Sequence, residues 1–164
     1  MAIRKVRVMG DEILTKACKP VKEMTPRIKE LIDDMFETMY EEDGVGLAAS
    51  QVGVLRQIVT IDVDDGNQYV LINPEILETS GEQTGYEGCL SVPGKRGIVT
   101  RPDHVKVRAL NEDMEPYELE GDGLLARAIC HECDHLNGSL YVDLVEGKLE
   151  DLADLAEEEA AGEG

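Results

Sequence analysis

The segment His131-Glu132-Cys133-Asp134-His135 restricts this chain more than any other feature, because it dictates a helix and the face of that helix that turns inward. On a helix, positions i and i+4 stand one above the other, so His131 and His135 can share one metal ion. Glu132 then lies beside that ion, where a carboxylate can take a proton from water. Two histidines do not close a metal site, so a third ligand has to come from another part of the chain.

The motif sits in a stretch expected to be helical from about Gly123 to Asn137, with Gly138 where helices commonly stop. Leu124, Ala128, His131 and His135 share its inner face, with Leu125, Ile129 and Leu136 alongside, so the histidines point into the protein. An earlier helix is announced by Thr25-Pro26, a capping hydroxyl followed by proline at the first helical position, and should run to about Glu42. Its stripe is Ile28, Leu31, Ile32, Met35, Phe36, Met39 and Tyr40. Between the helices, strands are expected at 57–63, 69–73, 76–84, 97–100, 104–110 and 115–119. Turn residues at Asp64-Asp65-Gly66-Asn67 and Asn111-Glu112-Asp113 suggest antiparallel hairpins. The segment 44–53, GVGLAASQVG, is small and glycine-punctuated, which lets backbone approach another group closely. From Gly147 the chain becomes acidic, and Leu149, Leu152 and Ala156 could form a short amphipathic helix before a frayed end.

Length and composition bound the rest. A chain of 164 residues fits one domain able to bury a sizeable core. With 42% hydrophobic and 31% charged residues and no long apolar run, it reads as a soluble globular protein rather than a membrane one. The start MAIRKVRVMG has no apolar segment of the secretory kind, so the cytoplasm is the expected location and Cys18, Cys89, Cys130 and Cys133 are expected as thiols or ligands. A formal charge of −19 argues against nucleic-acid binding through a basic surface and suits a strongly solvated exterior. His104 is expected to face solvent, and the Cys130/Cys133 pair is read as packing within a helix rather than as a redox site.

For the third ligand, proteases of the HExxHxxGxxH kind would use a histidine where this chain has Tyr141, and Glu146 and Glu150 lie too close to the motif or in the acidic tail. Upstream, Glu87-Gly88-Cys89-Leu90-Ser91 places a thiol after a glycine. Thiolate binds iron(II) or zinc strongly, yet taken alone Cys89 could equally be an ordinary buried cysteine.

The segments GVGLAASQVG (44–53), EGCLS (87–91) and HECDH (131–135), in this order and spacing, resemble the three signature motifs of the bacterial peptide deformylases. The resemblance implies an α+β fold in which antiparallel β-sheets pack around a central helix carrying HExxH, with an N-terminal helix besides. It implies a hydrolase that removes the formyl group from the initiator methionine of new polypeptides and releases formate. Cys89, His131 and His135 would be the metal ligands, Glu132 the proton carrier, and the Gln51 side chain and Leu90 backbone N–H the donors to the developing oxyanion. Val45, Gly46 and Gly88 would offer main-chain contacts to an extended peptide, and Val45, Leu124 and Ala128 an apolar pocket for methionine. Arg96 and Glu87 match recurrent positions and either pair to fix the cysteine segment or are unrelated; Asp134 either orients a ligand or is simply exposed. The family often has glutamine where this chain has Cys130.

The metal implied is one divalent ion, iron(II) in cells, with zinc, nickel or cobalt compatible with the same ligands. Residues 1–146 would form the catalytic domain and 147–164 an acidic helix or tail. Some family members dock on the ribosome through a basic C-terminal helix. Here 147–164 carries seven carboxylates against the single Lys148, so ribosome association is expected to be weak and insensitive to salt. Two rival readings are a general metallopeptidase, against which Tyr141 and the Cys89 segment count, and a metal-stabilised binding module for formylated N-termini. The second has no use for Glu132 and Gln51.

Overall fold

The computed structural model describes residues 2–153. Helix α1 (Pro26–Glu41) begins where the capping pair predicts, with the Thr25 hydroxyl accepting from the Ile28 N–H at 3.2 Å. It ends as Gly44 N–H donates to the Met39 carbonyl, with Asp43 at φ +57°. Leu31, Ile32, Met35, Phe36 and Met39 are buried as expected, whereas Tyr40 is 45% exposed and donates its hydroxyl to Asp62 at 2.6 Å. A second flank of α1 is polar yet buried. Asp34 accepts from the Ala2 N–H (2.6 Å) and Arg4 Nε (2.9 Å), and Thr38 from the Arg4 N–H (2.8 Å), so the N-terminal segment lies along the helix.

Strands β1 (Gly46–Ala48), β2 (Ile58–Ile61), β3 (Tyr69–Ser80), β4 (Gln83–Cys89), β5 (Val92–Arg101), β6 (His104–Leu110), β7 (Pro116–Asp122) and β8 (Glu146–Asp151) pair antiparallel in two sheets, ordered β1-β2-β3-β6-β7 and β4-β5-β8. Both expected hairpins are present. The segments expected as separate strands at 69–73 and 76–84 are instead one strand as far as Ser80, kinked by a register shift between Ile72 and Glu75. Asn73, at φ +52°, uses its side chain to bind both the N–H and the carbonyl of Val21 at 2.8 Å.

Period-2 alternation decides the layers. Ile58, Val70 and Ile72 face α1, while Val59, Ile61 and Leu71 face helix α2 (Leu124–Leu136), which explains why the middle strands are apolar on both faces. The other side of α2 meets the smaller sheet, where Arg127 donates to the Val99 carbonyl (3.2 Å) and the His131 ring lies 5.9 Å from that of Tyr141. The motif helix is therefore central. Its C-terminal end is pressed against the segment Glu12–Thr15, since a Cβ on Gly138 would stand 2.5 Å from the Thr15 carbonyl oxygen.

One expectation is overturned. Residues 146–151, counted almost wholly with a helical tail, form β8 on the edge of β5. Leu149 packs with Val92, Val99 and Tyr141, and Glu146, Glu150 and Asp151 meet Thr100, Arg96 and Lys95 across the ladder. An acidic strand is stabilised there because its neighbour supplies cations and a hydroxyl. The paired strands thus extend past residue 146, a helical turn begins at Leu152 and Ala153, and Ala156 lies outside the described residues.

Candidate metal centre

Helical spacing brings His131 and His135 together with their Nε2 atoms 3.2 Å apart, both rings buried. Strand parity delivers the third group. Along β4, Gln83, Gly85, Glu87 and Cys89 alternate inward, and Cys89 at the strand end sets its Sγ 3.3 Å from His135 Nε2. The ligand atoms of Cys89, His131 and His135 all lie within 4.8 Å of one another. Tetrahedral bonds of about 2.0–2.3 Å separate ligand atoms by roughly 3.4–3.6 Å, close to this spacing, and a thiolate with two imidazoles suits iron(II) or zinc.

The two rings differ in their hold on a proton. Burial opposes charge on both rings, but the Glu132 carboxylate and the hydrogen bonds that His131 donates to Cys89 and Glu87 hold it well above its ordinary range. His135, desolvated and facing His131, is pushed down to about 3. Two nitrogens and a sulfur, 3.2 and 3.3 Å from one another, converge on one gap, the position in which a cation would serve all three.

Glu87 supports the donors from behind. Its carboxylate accepts from His131 Nδ1 at 3.3 Å and pairs with Arg101 through two contacts, 3.3 and 3.0 Å, while Arg101 also reaches Asp134 at 2.6 Å. Burial disfavours the Glu87 anion, yet the His131 and Arg101 bonds outweigh it and hold the carboxyl below its usual range. An outer carboxylate of this kind fixes a ligating imidazole's tautomer and leaves Nε2 free to bind. Of the two readings left open for Arg96 and Glu87, the structure favours the unrelated one: they do not pair. Parity separates them: Gly97, Val99 and Arg101 of β5 turn inward, whereas Arg96 turns outward to Glu150 (3.0 Å) and lies 3.8 Å over the Tyr86 ring. Asp134 contacts Arg101 rather than a histidine, so it orients the site only through that arginine. Arg101 and Arg127 were not singled out from the sequence, although alternation counted onward from Val99 would have pointed to Arg101.

Glu132 is 4% exposed, with Oε1 lacking a hydrogen-bond partner among the described residues and lying 3.9 Å from His135 Nε2. Before any cation is counted, burial pushes its carboxyl up to about 7. A Cβ on Gly46 would stand 2.5 Å from Glu132 Oε2, so the glycine there gives the carboxylate room. Gln51 accepts from the Ala48 N–H (2.9 Å), which turns its amide NH2 toward Ser91 Oγ (3.0 Å) and Cys89 Sγ (3.5 Å). Leu90 occupies the turn between β4 and β5.

A cavity of about 480 Å³ opens over these groups, lined by Val45, Gly46, Gln51, Gly88, Cys89, Leu90, Leu124, Ala128, His131 and Glu132 among others. It runs beside β1 and β4, each an edge strand of its sheet. His135 lies deeper. Cys130 and Cys133 pack against the α2 core, where burial pushes their thiols up to about 11 and 12. His104, expected in solvent, is partly exposed and paired with Asp122 and Glu120 at the β6–β7 end.

Three soft donors on a helix and a strand end, a carboxylate beside them and an amide donor across one cavity make a site of the metal-dependent hydrolase class. Over residues 3–150 the sequence matches the family described as polypeptide deformylase. A peptide deformylase of Agathobacter rectalis is 64% identical over 93% of this chain and 96% of that protein, and one of Lachnoclostridium phytofermentans is 60% identical over 97% and 99%. The crystal structure of a peptide deformylase from Legionella pneumophila superposes with a TM-score of 0.85 at 46% identity, covering 88% of this chain and 86% of that one. The chain belongs to the polypeptide deformylase family, metal-dependent enzymes that remove the N-terminal formyl group from newly made polypeptides.

Proposed function

We propose that Cys89, His131 and His135 hold one divalent cation, iron(II) in the cell, and that Glu132, Gln51 and Leu90 perform the chemistry on formylmethionine at the start of a nascent chain. The observation that carries this reading is the convergence of the three donors beneath a cavity that also exposes Glu132 and Gln51. The cation, when bound, supplies Lewis acidity and lowers the pKa of water. Glu132 takes the proton of the attacking water and returns it to the departing methionine amine, leaving formate and a free N-terminus. Its carboxylate, buried and 3.9 Å from His135 Nε2, stands within reach of both transfers. The Gln51 amide N–H and the Leu90 backbone N–H donate to the formyl oxygen as it gains charge.

The open edges of β1 and β4 support an extended peptide lying against Val45, Gly46 and Gly88. Reading backbone tolerates many sequences after methionine, while Val45, Leu124 and Ala128 supply the apolar wall for methionine itself. The work belongs in the cytoplasm, where new chains emerge; no helix among the described residues is long and apolar enough to cross a membrane. The acidic end of the chain speaks against docking on ribosomal phosphates in the manner of a basic helix.

The test compares formate release from formyl-Met and acetyl-Met peptides, with metal analysis under anaerobic conditions and Glu132→Gln as control. Selective release from the formyl peptide, lost in the control at unchanged metal content, is expected. Equal hydrolysis of both peptides or full activity of the control would defeat the assignment.

A further inference from the structure

One wall of the cavity comes from a residue that neither the metal donors nor the methionine pocket uses. Leu152, just after β8, lines the cavity with Tyr86, Pro93, Gly94 and Lys95 and remains 42% exposed. Tyr86, 49% exposed, lines the same cavity, so two large apolar side chains are left uncovered where a substrate would lie.

Its position is well supported from below. Lys95 pairs with Asp151, Arg96 with Glu150 and Ile98 with Glu146 along the β5–β8 ladder, and Leu149 is anchored among Val92, Val99 and Tyr141. Glu150 accepts from Arg96 Nε at 3.0 Å and from the Tyr86 hydroxyl at 3.5 Å, and Lys95 Nζ lies 3.7 Å from Asp151. The Arg96 guanidinium covers one face of Tyr86. These contacts tie the strand before Leu152 to the hairpin that carries Cys89.

Distance along β4 says which part of a substrate reaches this wall. Tyr86 precedes Cys89 by three residues, about 10 Å at the rise of a strand. An extended peptide whose formyl carbon sits at the metal donors covers that length by its second or third residue. Resting on the deformylase reading, we infer that Leu152 is a specificity-determining residue: with the Tyr86 ring it forms an apolar wall for the side chain of a substrate residue that follows formylmethionine. The acidic end of the chain thereby contributes directly to substrate choice.

The experiment measures kcat and KM for formyl-Met-Leu-Ala, formyl-Met-Ser-Ala, formyl-Met-Ala-Leu and formyl-Met-Ala-Ser with the wild-type holoenzyme, Leu152→Ser and Leu152→Met. Covering part of a leucine favours binding by about 5-fold, so the wild type should prefer leucine over serine by that factor at one of the two positions. Leu152→Ser should abolish the preference through KM, with kcat on formyl-Met-Ala-Ser unchanged, and Leu152→Met should retain it. A preference that survives Leu152→Ser, its absence in the wild type, or an equal fall in kcat for all four peptides overturns the inference. Failure of the wild type to release formate from any of the peptides sinks the deformylase reading and this inference together.

Discussion

At the scale of single residues, the site separates groups that act on substrate from groups that hold others in place. Gln51 is fixed by the Ala48 N–H and Ser91, so Gln51→Ala should retain its metal and lose about 10²- to 10³-fold in kcat, read by formate release beside metal content. Arg101 lies behind the donors, and Arg101→Ala leaves the buried Glu87 anion with only the His131 ring at 3.3 Å and Arg127 at 4.0 Å beside it among the described residues. Breaking a buried pair in this way costs about 3–5 kcal/mol, measurable by urea unfolding at pH 7. The pH dependence has a definite sign. Because Glu87 titrates below its ordinary range when folded, its stabilisation is present above the unfolded carboxyl pKa of about 4.3 and is lost as pH falls through the lower folded value. The wild type should therefore lose stability at the acid end more steeply than Arg101→Ala, and parallel curves would contradict this account.

At the scale of elements, caps and close approaches set the positions of the helices and strands that carry the site. Removing the Thr25 hydroxyl leaves the Ile28 N–H without its cap, and Thr25→Ala should cost about 1 kcal/mol, lowering Tm by about 2–4 °C in calorimetry. Gly46→Ala is a harsher change. Its Cβ would fall 2.5 Å from Glu132 Oε2, so either β1 or the carboxylate must move, and activity should collapse while far-UV circular dichroism stays unchanged. Elements also show where local reading stops. The caps and stripe of α1 and the span of α2 were legible because a period of 3.6 and a terminal glycine are local signals. β1, at three residues, and β8, rich in glutamate and aspartate, carry no such signal, and both exist only because a neighbour pairs with them.

At the scale of the whole molecule, the proposed metal donors join the end of edge strand β4 to the central helix, so a bound ion would stabilise the fold as well as the site. Chelation should lower Tm and abolish formate release together, and re-addition of iron(II) under anaerobic conditions should restore both. An unchanged Tm after verified metal loss would show that the donors hold their positions without it. Ribosome pelleting should show weak association that deleting residues 154–164 does not reduce, since the five carboxylates there repel phosphate. The sequence by itself determined the motif helix, the inward turn of Ala128 and both histidines though not of Leu124, which is half exposed, and, through the likeness of three separated segments, the family. Only the tertiary structure decided that Glu87 answers to Arg101 rather than Arg96, that Asp134 acts through that arginine, and that the acidic end closes a sheet beside the cavity. The physical reason is range: helix periodicity and capping act within a few residues, whereas ion-pair partners and strand pairing depend on register between segments far apart in the chain.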